Sequence, residues 1–163
     1  MEKKEIAAQE DLITVLDLFD ELNIKYWLDG GWGVDVLYGE QTRDHRDIDI
    51  NYDDSHTEQV LEVLKKKGYE MVVDQYPVRM ELYHKDRSYI DIHPFILNED
   101  GTAKQADFEG SFYEFEADIF ATANFYGRSV PCISIMGQKL FHTGYELREV
   151  DKHDIKIINQ LLK

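Results

Sequence analysis

Apolar residues at Leu12, Ile13, Val15, Leu16, Phe19 and Leu22 recur every three or four positions, which predicts an amphipathic helix over about 8–23 that Asn23 ends. Tyr26-Trp27-Leu28 follows as a short strand, and the glycines at 30 and 31 turn the chain into a second helix that stops near Gly39. The next run, Asp47-Ile48-Asp49-Ile50, alternates strictly and reads as a strand. Asp53-Asp54-Ser55 supplies caps for a third helix with an apolar stripe of Val60, Leu61, Val63 and Leu64, and Gly68 terminates it.

Strands then dominate. Tyr69 to Val73, Val78 to Tyr83 and Tyr89 to Phe95 are β-branched or aromatic runs, the last two joined by the polar connection Lys85-Asp86-Arg87-Ser88. Asn98-Glu99-Asp100-Gly101 is a further turn. From Phe108 to Tyr126 no clean period emerges, so irregular structure is expected apart from a short strand at Phe112 to Phe115. Two closing helices are expected: Ser134 to Thr143, capped by Ser134 and ended by Gly144, and Asp151 to Leu162, opened by Asp151. No repeat, low-complexity segment or linker divides the chain, so residues 1–163 read as one α+β domain with 134–163 as its helical end.

Composition narrows the picture. The chain has 163 residues, 43% of them hydrophobic, enough for a real core. No apolar run spans a membrane and the opening residues carry no secretory pattern, so a cytoplasmic protein is expected. Its formal net charge of −15 argues against nucleic acid as a partner and favours a cationic small molecule. The single cysteine, Cys132, rules out an internal disulfide and sits in an apolar run, which predicts a buried thiol.

Chemistry concentrates in three acids. On a strand Asp47 and Asp49 project from one face while Ile48 and Ile50 enter the core on the other. Two such carboxylates can bracket a hard divalent cation, and a metal-bound nucleoside triphosphate is the natural partner. Asp91, in Tyr89-Ile90-Asp91-Ile92-His93, shows the same alternation, and its strand could pair beside the first. Magnesium held by Asp47, Asp49 and Asp91 would then orient an α-phosphorus for in-line attack, with Asp91 also placed to take the proton of an acceptor hydroxyl. Gly30 and Gly31 leave the backbone open for phosphates at a helix N-terminus, and Arg43 and Arg46 are candidate phosphate clamps. Arg79, Glu81 and His93 are candidates for the acceptor side, with a solvated sheet face as the alternative for Arg79 and Glu81. Asp35 either faces the site or hydrogen-bonds within its loop, and His45 and His93 serve either a ligand or a structural hydrogen bond. His142 and Tyr145 read as residues securing a helix end.

These motifs carry a family likeness. Tyr26-Trp27-Leu28-Asp29-Gly30-Gly31-Trp32-Gly33-Val34-Asp35, His45-Arg46-Asp47-Ile48-Asp49, Arg79-Met80-Glu81-Leu82, Asp91-Ile92-His93-Pro94, Val130-Pro131-Cys132-Ile133-Ser134 and Phe141-His142-x-Gly144-Tyr145 together resemble the small lincosamide nucleotidyltransferases, within the superfamily that includes DNA polymerase beta. The resemblance implies a polymerase-beta-like nucleotidyltransferase fold, a mixed sheet packed with helices. It also implies magnesium-dependent transfer of AMP from ATP to a hydroxyl of lincomycin or clindamycin, which releases pyrophosphate and confers antibiotic resistance. Asp47 and Asp49 match the metal ligands of that family and Asp91 its third acid. The Gly-Gly-Trp and Asp-x-Asp segments are shared with aminoglycoside 2''-nucleotidyltransferases, which are the alternative.

Three further expectations concern the acceptor and the competing chemistries. An aromatic stretch of Phe108, Phe112, Tyr113, Phe115, Phe120, Phe125 and Tyr126 either walls a partly apolar acceptor pocket, which favours a lincosamide, or belongs to the core. So small a chain is expected to complete that pocket as a homodimer. Competing readings are a metallohydrolase using His45, Asp47, Asp49, Asp91 and His93, and a nucleotide-binding module without turnover.

Overall fold

The computed structural model describes residues 3–143 and 145–163, and its element order follows the hydrophobic pattern. Helix α1 (Gln9–Leu22) ends at Asn23 in the left-handed conformation, strand β1 (Tyr26–Asp29) runs directly into helix α2 (Gly30–Tyr38), and Gly39 closes that helix with φ 102°. Then come β2 (Asp47–Asp53), helix α3 (Thr57–Lys66), β3 (Glu70–Gln75), β4 (Arg79–His84) and β5 (Ser88–Leu97). The remainder is β6 (Ala103–Ala106), β7 (Phe112–Phe115), β8 (Phe120–Phe125), β9 (Arg128–Ile133), α4 (Ile135–Phe141) and α5 (Glu149–Leu161).

The strands join in one mixed sheet, ordered β3-β4-β5-β2-β1-β9-β8, with β6 and β7 attached at the far end of β5. The β2–β5 and β1–β9 pairs are parallel; the others are antiparallel. Ile48, Ile50, Ile90 and Ile92 point from β2 and β5 into the main core, where they meet Leu12, Leu16 and Phe19 of α1 and Val60 and Leu64 of α3. Burying one such side chain contributes about 1.5–3 kcal/mol, so these four isoleucines fix which face of β2 and β5 is left for chemistry. A second cluster of Phe95, Phe115, Ile119 and Ile133 packs with Trp27, Phe120 and Phe141, and a third joins Val34 of α2 to Ile157 and Ile158 of α5. No helix among the described residues is long and apolar enough to cross a membrane.

Several expected boundaries change. Strand β8 falls in the segment read as irregular and β6 where no element was expected; their alanines have weak strand preference, and pairing with β5, β7 and β9 imposes the conformation. The Asp53 cap opens a single 3₁₀ turn, Asp54–His56, and α3 starts only after it. Asp151 does not open α5 but sits inside its first turn, where Oδ2 accepts the Arg148 N–H at 2.9 Å. Ser134 caps α4 as expected, accepting the Gly137 N–H, whereas Gly144 lies outside the described residues. Cys132 is fully buried in β9, and burial pushes its thiol up to about 12.

Candidate active site

The parallel pairing of β2 with β5 sets Asp49 directly opposite Asp91, and the flanking antiparallel pairs set Asp29 opposite Asp49 and Glu81 opposite Asp91. Four adjacent strands thus present a row of four acids on the face away from the isoleucines, with Asp47 one step along β2. Carboxylate oxygens of Asp49 and Asp91 and a ring nitrogen of His93 lie within 4.8 Å of one another. His93 Nε2 stands 3.6 Å from Asp49 Oδ1 and 3.5 Å from Asp91 Oδ1.

Charge is under-compensated here. Burial, followed by repulsion from Asp91, raises the Asp47 carboxyl, while burial and repulsion from Asp47 push Asp49 up to about 8. Burial alone would lower His93, but its contacts with Asp49 and Asp91 prevail and lift it to about 9. Asp47 and Asp49, held above their usual range for want of positive charge, stand on rigid strands beside Asp91 and His93 and form with them a donor set that fits a divalent cation.

Glycine geometry ties the α2 N-terminus to these acids. Gly30 has φ +62°, which a side chain rarely adopts, and a Cβ there would collide with Asp49 Oδ2. A Cβ on Gly31 would collide with Arg43 Nη2 and lie 2.6 Å from His45 Nδ1. Asp29 caps the helix by accepting the Gly30 N–H at 2.8 Å and is steadied by Asn51 Nδ2 at 3.0 Å.

A cavity of about 860 Å³ opens over this row. Asp47, Asp49, Asp91, Gly30, Gly31, Arg43, Arg46, Arg79 and His93, all singled out from sequence, line it. Glu81 does not. It lies behind the arginines, 2.7 Å from Arg46 Nη1 and 3.2 Å from Arg79 Nη2, because register places it across from Asp91 in the strand layer. Arg79 Nε also donates to both oxygens of Asp91, each at 3.2 Å. Arg46 stacks 3.7 Å over the Tyr89 ring. Arg43 is engaged by Asp154 of α5, with Nε and Nη2 donating at 3.0 and 2.8 Å, so it ties the last helix to the site as well as facing the cavity.

Asp35 faces its loop rather than the acids. Fully buried, it accepts from Thr42 N at 2.9 Å and pairs with His45 Nε2 at 2.7 Å; burial pushes its carboxyl up, but these hydrogen bonds outweigh that and hold it below the usual range. His45 is therefore held by Asp35 and is not among the groups that gather at Asp49, Asp91 and His93, which separates the members of the five-residue metallohydrolase set.

The acceptor expectation from the aromatic stretch is overturned, since none of its seven residues lines the cavity. Phe115 and Phe120 pack with Phe95, Phe125 joins the main core, and Phe108, Phe112, Tyr113 and Tyr126 are exposed. Apolar lining comes instead from Ile6, Phe141, Tyr145 and Val150. His142 secures α4 through Nδ1 and the Gln138 carbonyl at 2.7 Å, yet it and Tyr145 also line the cavity. Asp151 and Asp154 do so as well, and no local pattern signals Asp154, because its partner lies far away in sequence.

Comparison with known proteins agrees with this geometry. The family model for aminoglycoside-2''-adenylyltransferase matches residues 11–158. A lincosamide resistance protein of Staphylococcus haemolyticus is 48% identical over 159 residues, 98% of this chain and 99% of its own. A 2''-aminoglycoside nucleotidyltransferase of Escherichia coli is 42% identical, but over only 38 residues, 23% of this chain and 22% of its own. Among solved structures, a lincomycin-bound lincosamide antibiotic adenylyltransferase superposes with TM-score 0.90 at 48% identity, covering 96% of this chain and 99% of the other.

Proposed function

The chain belongs to the aminoglycoside-2''-adenylyltransferase family, and from that premise we propose that this nucleotidyltransferase transfers AMP from ATP to a hydroxyl of a lincosamide such as lincomycin or clindamycin, inactivating the drug. The register that faces Asp49 with Asp91, beside the glycine step into α2, is the observation that carries the reaction. The acceptor class rests on 48% identity to a lincosamide resistance protein over nearly the whole chain, whereas the 42% identity to a 2''-aminoglycoside nucleotidyltransferase covers only 38 residues.

In this reading Asp47, Asp49 and Asp91 would hold magnesium, with His93 beside them. When bound, the ion neutralises triphosphate charge and polarises the α-phosphoryl group. Asp91 accepts the proton from the acceptor hydroxyl, whose oxygen forms a bond to the α-phosphorus as the bond to the β-phosphate breaks. Gly30 and Gly31 let the phosphates approach the α2 N-terminus, and Arg46 and Arg43 add positive charge at the rim. Arg79, held by Asp91 and Glu81, borders the acceptor side, where Phe141, Tyr145 and Val150 offer apolar contact to a ligand with one amine and an apolar tail. Residues 1–163 act as one catalytic unit, with 134–163 closing the cavity.

Mass spectrometry of lincomycin, clindamycin and an aminoglycoside panel, after incubation with the protein, ATP and magnesium, tests the proposal. Gain of one adenylyl group on the lincosamides, with pyrophosphate release, is expected. Modification of aminoglycosides alone would refute the acceptor class, and no modified acceptor with any divalent metal would refute the transfer reaction.

A further inference from the structure

His45 has a buried nitrogen with nothing to bond. The residue is 2% exposed, its Nε2 is pinned to Asp35, and its Nδ1 has no hydrogen-bond partner. Leaving such an atom unsatisfied is costly, and native folds tolerate it where a ligand completes the bond. The ring cannot turn to find another partner, because Asp35 is itself braced by Thr42 and Trp32 packs against the imidazole at 4.5 Å between ring centroids. Nδ1 is directed at Gly31, next to Arg43 Nη2, where both residues line the cavity at the first turn of α2. An imidazole nitrogen, a guanidinium and a helix N-terminus converging on one point suit an anion.

We propose that His45 is a phosphate-binding residue of the nucleotide site, its Nδ1 donating a hydrogen bond to the β,γ-pyrophosphate portion of bound ATP. This rests on the nucleotidyltransferase reading and adds to it a residue that the three acids do not account for. The Nε2 contact with the Asp35 carboxylate holds the ring in place and leaves Nδ1 to meet the phosphate. Asp35 is thereby a positioning residue, acting through His45.

Amide substitutions separate the two nitrogens. In His45→Gln the side-chain amide reaches toward Asp35 and the Nδ1 group is lost; in His45→Asn a donor stays near the Nδ1 position. Calorimetric titration of MgATP, magnesium pyrophosphate and AMP into wild type and both variants is the experiment. We expect H45Q to weaken MgATP and pyrophosphate binding at least tenfold, the scale of one charge-assisted hydrogen bond, with AMP affinity within about twofold of wild type and much of the loss recovered in H45N. Unchanged MgATP affinity in H45Q, or an equal loss for AMP, overturns the proposal. Should H45Q fail to fold, the wild type decides: with ¹⁵N-labelled histidine, the His45 Nδ1 resonance should move when magnesium pyrophosphate is added, and no movement refutes the contact. Wild type that binds no MgATP would instead sink the nucleotidyltransferase reading itself.

Discussion

Replacing Asp49 by asparagine should abolish transfer and make the metal-free protein more stable. Asp49 and Asp91 oxygens lie within 4.8 Å, where two ionised carboxylates repel by about 3 kcal/mol at an effective dielectric of 20. Lifting the Asp49 carboxyl from 3.8 to about 8 sets a ceiling of roughly 6 kcal/mol on the cost of ionising it in the fold. Loss of the His93 contact offsets part of the relief, so about 1–3 kcal/mol is the expected net gain at about pH 8.5. For a chain of this size that raises the melting temperature by about 2–10 °C. The sign follows from proton linkage. Between about pH 4 and 8 the folded wild type keeps on Asp49 a proton that the unfolded chain has released, so its stability falls as pH rises through that window. His93, lifted to about 9, adds a loss of the same sign between about 6.5 and 9. The Asp49→Asn substitution removes the first contribution and weakens the second, since Asp49 is one of the two contacts that lift His93, so the two proteins should melt nearly together at about pH 5 and diverge toward about pH 8.5. Melts by circular dichroism in EDTA, repeated with magnesium, measure this. Magnesium should stabilise wild type and leave the variant unmoved. A lower melting temperature for Asp49→Asn at both pH values would mean that the carboxylate holds structure, and the argument from electrostatic strain would fail.

Other substitutions probe neighbouring parts of the site. Gly30→Ala forces a side chain into a φ of +62° and onto Asp49, so turnover should drop at least a hundredfold and magnesium should lose its stabilising effect in melts. Near-normal turnover would show that the glycine is only a turn. Asp91→Asn should retain MgATP binding by calorimetry within a fewfold while turnover falls by about 10³ or more; weakened binding with normal turnover would remove Asp91 from the base role. Asp154→Ala strands the Arg43 guanidinium, whose partner is nearly buried, and should cost about 2–3 kcal/mol in urea unfolding. A loss below about 0.5 kcal/mol would show that water replaces the contact.

Local patterns carried most of the fold because each depends on neighbours in sequence. The 3.6-residue stripe of α1, the left-handed Asn23 and Gly39, and the alternation of Asp47-Ile48-Asp49-Ile50 all appear where expected. Strands β6 and β8 escaped notice because their alanines gain the strand conformation from partners rather than from intrinsic preference. The aromatic stretch misled for a related reason: aromatic content says that surface is apolar, not which side of the sheet it meets.

From the sequence alone, the acids and the faces they share were determined, since alternation with core isoleucines leaves Asp47, Asp49 and Asp91 no other side of their strands. Tertiary structure decided what stands across from each. Parallel pairing matched Asp49 with Asp91, antiparallel pairing moved Glu81 behind two arginines, and the return of α5 gave Arg43 to Asp154 across 111 positions. It also closed Asp35 and Trp32 around His45, leaving one nitrogen aimed at the glycine step. Such contacts join residues far apart in the chain, and their geometry is set by strand register and helix packing, which no local periodicity records.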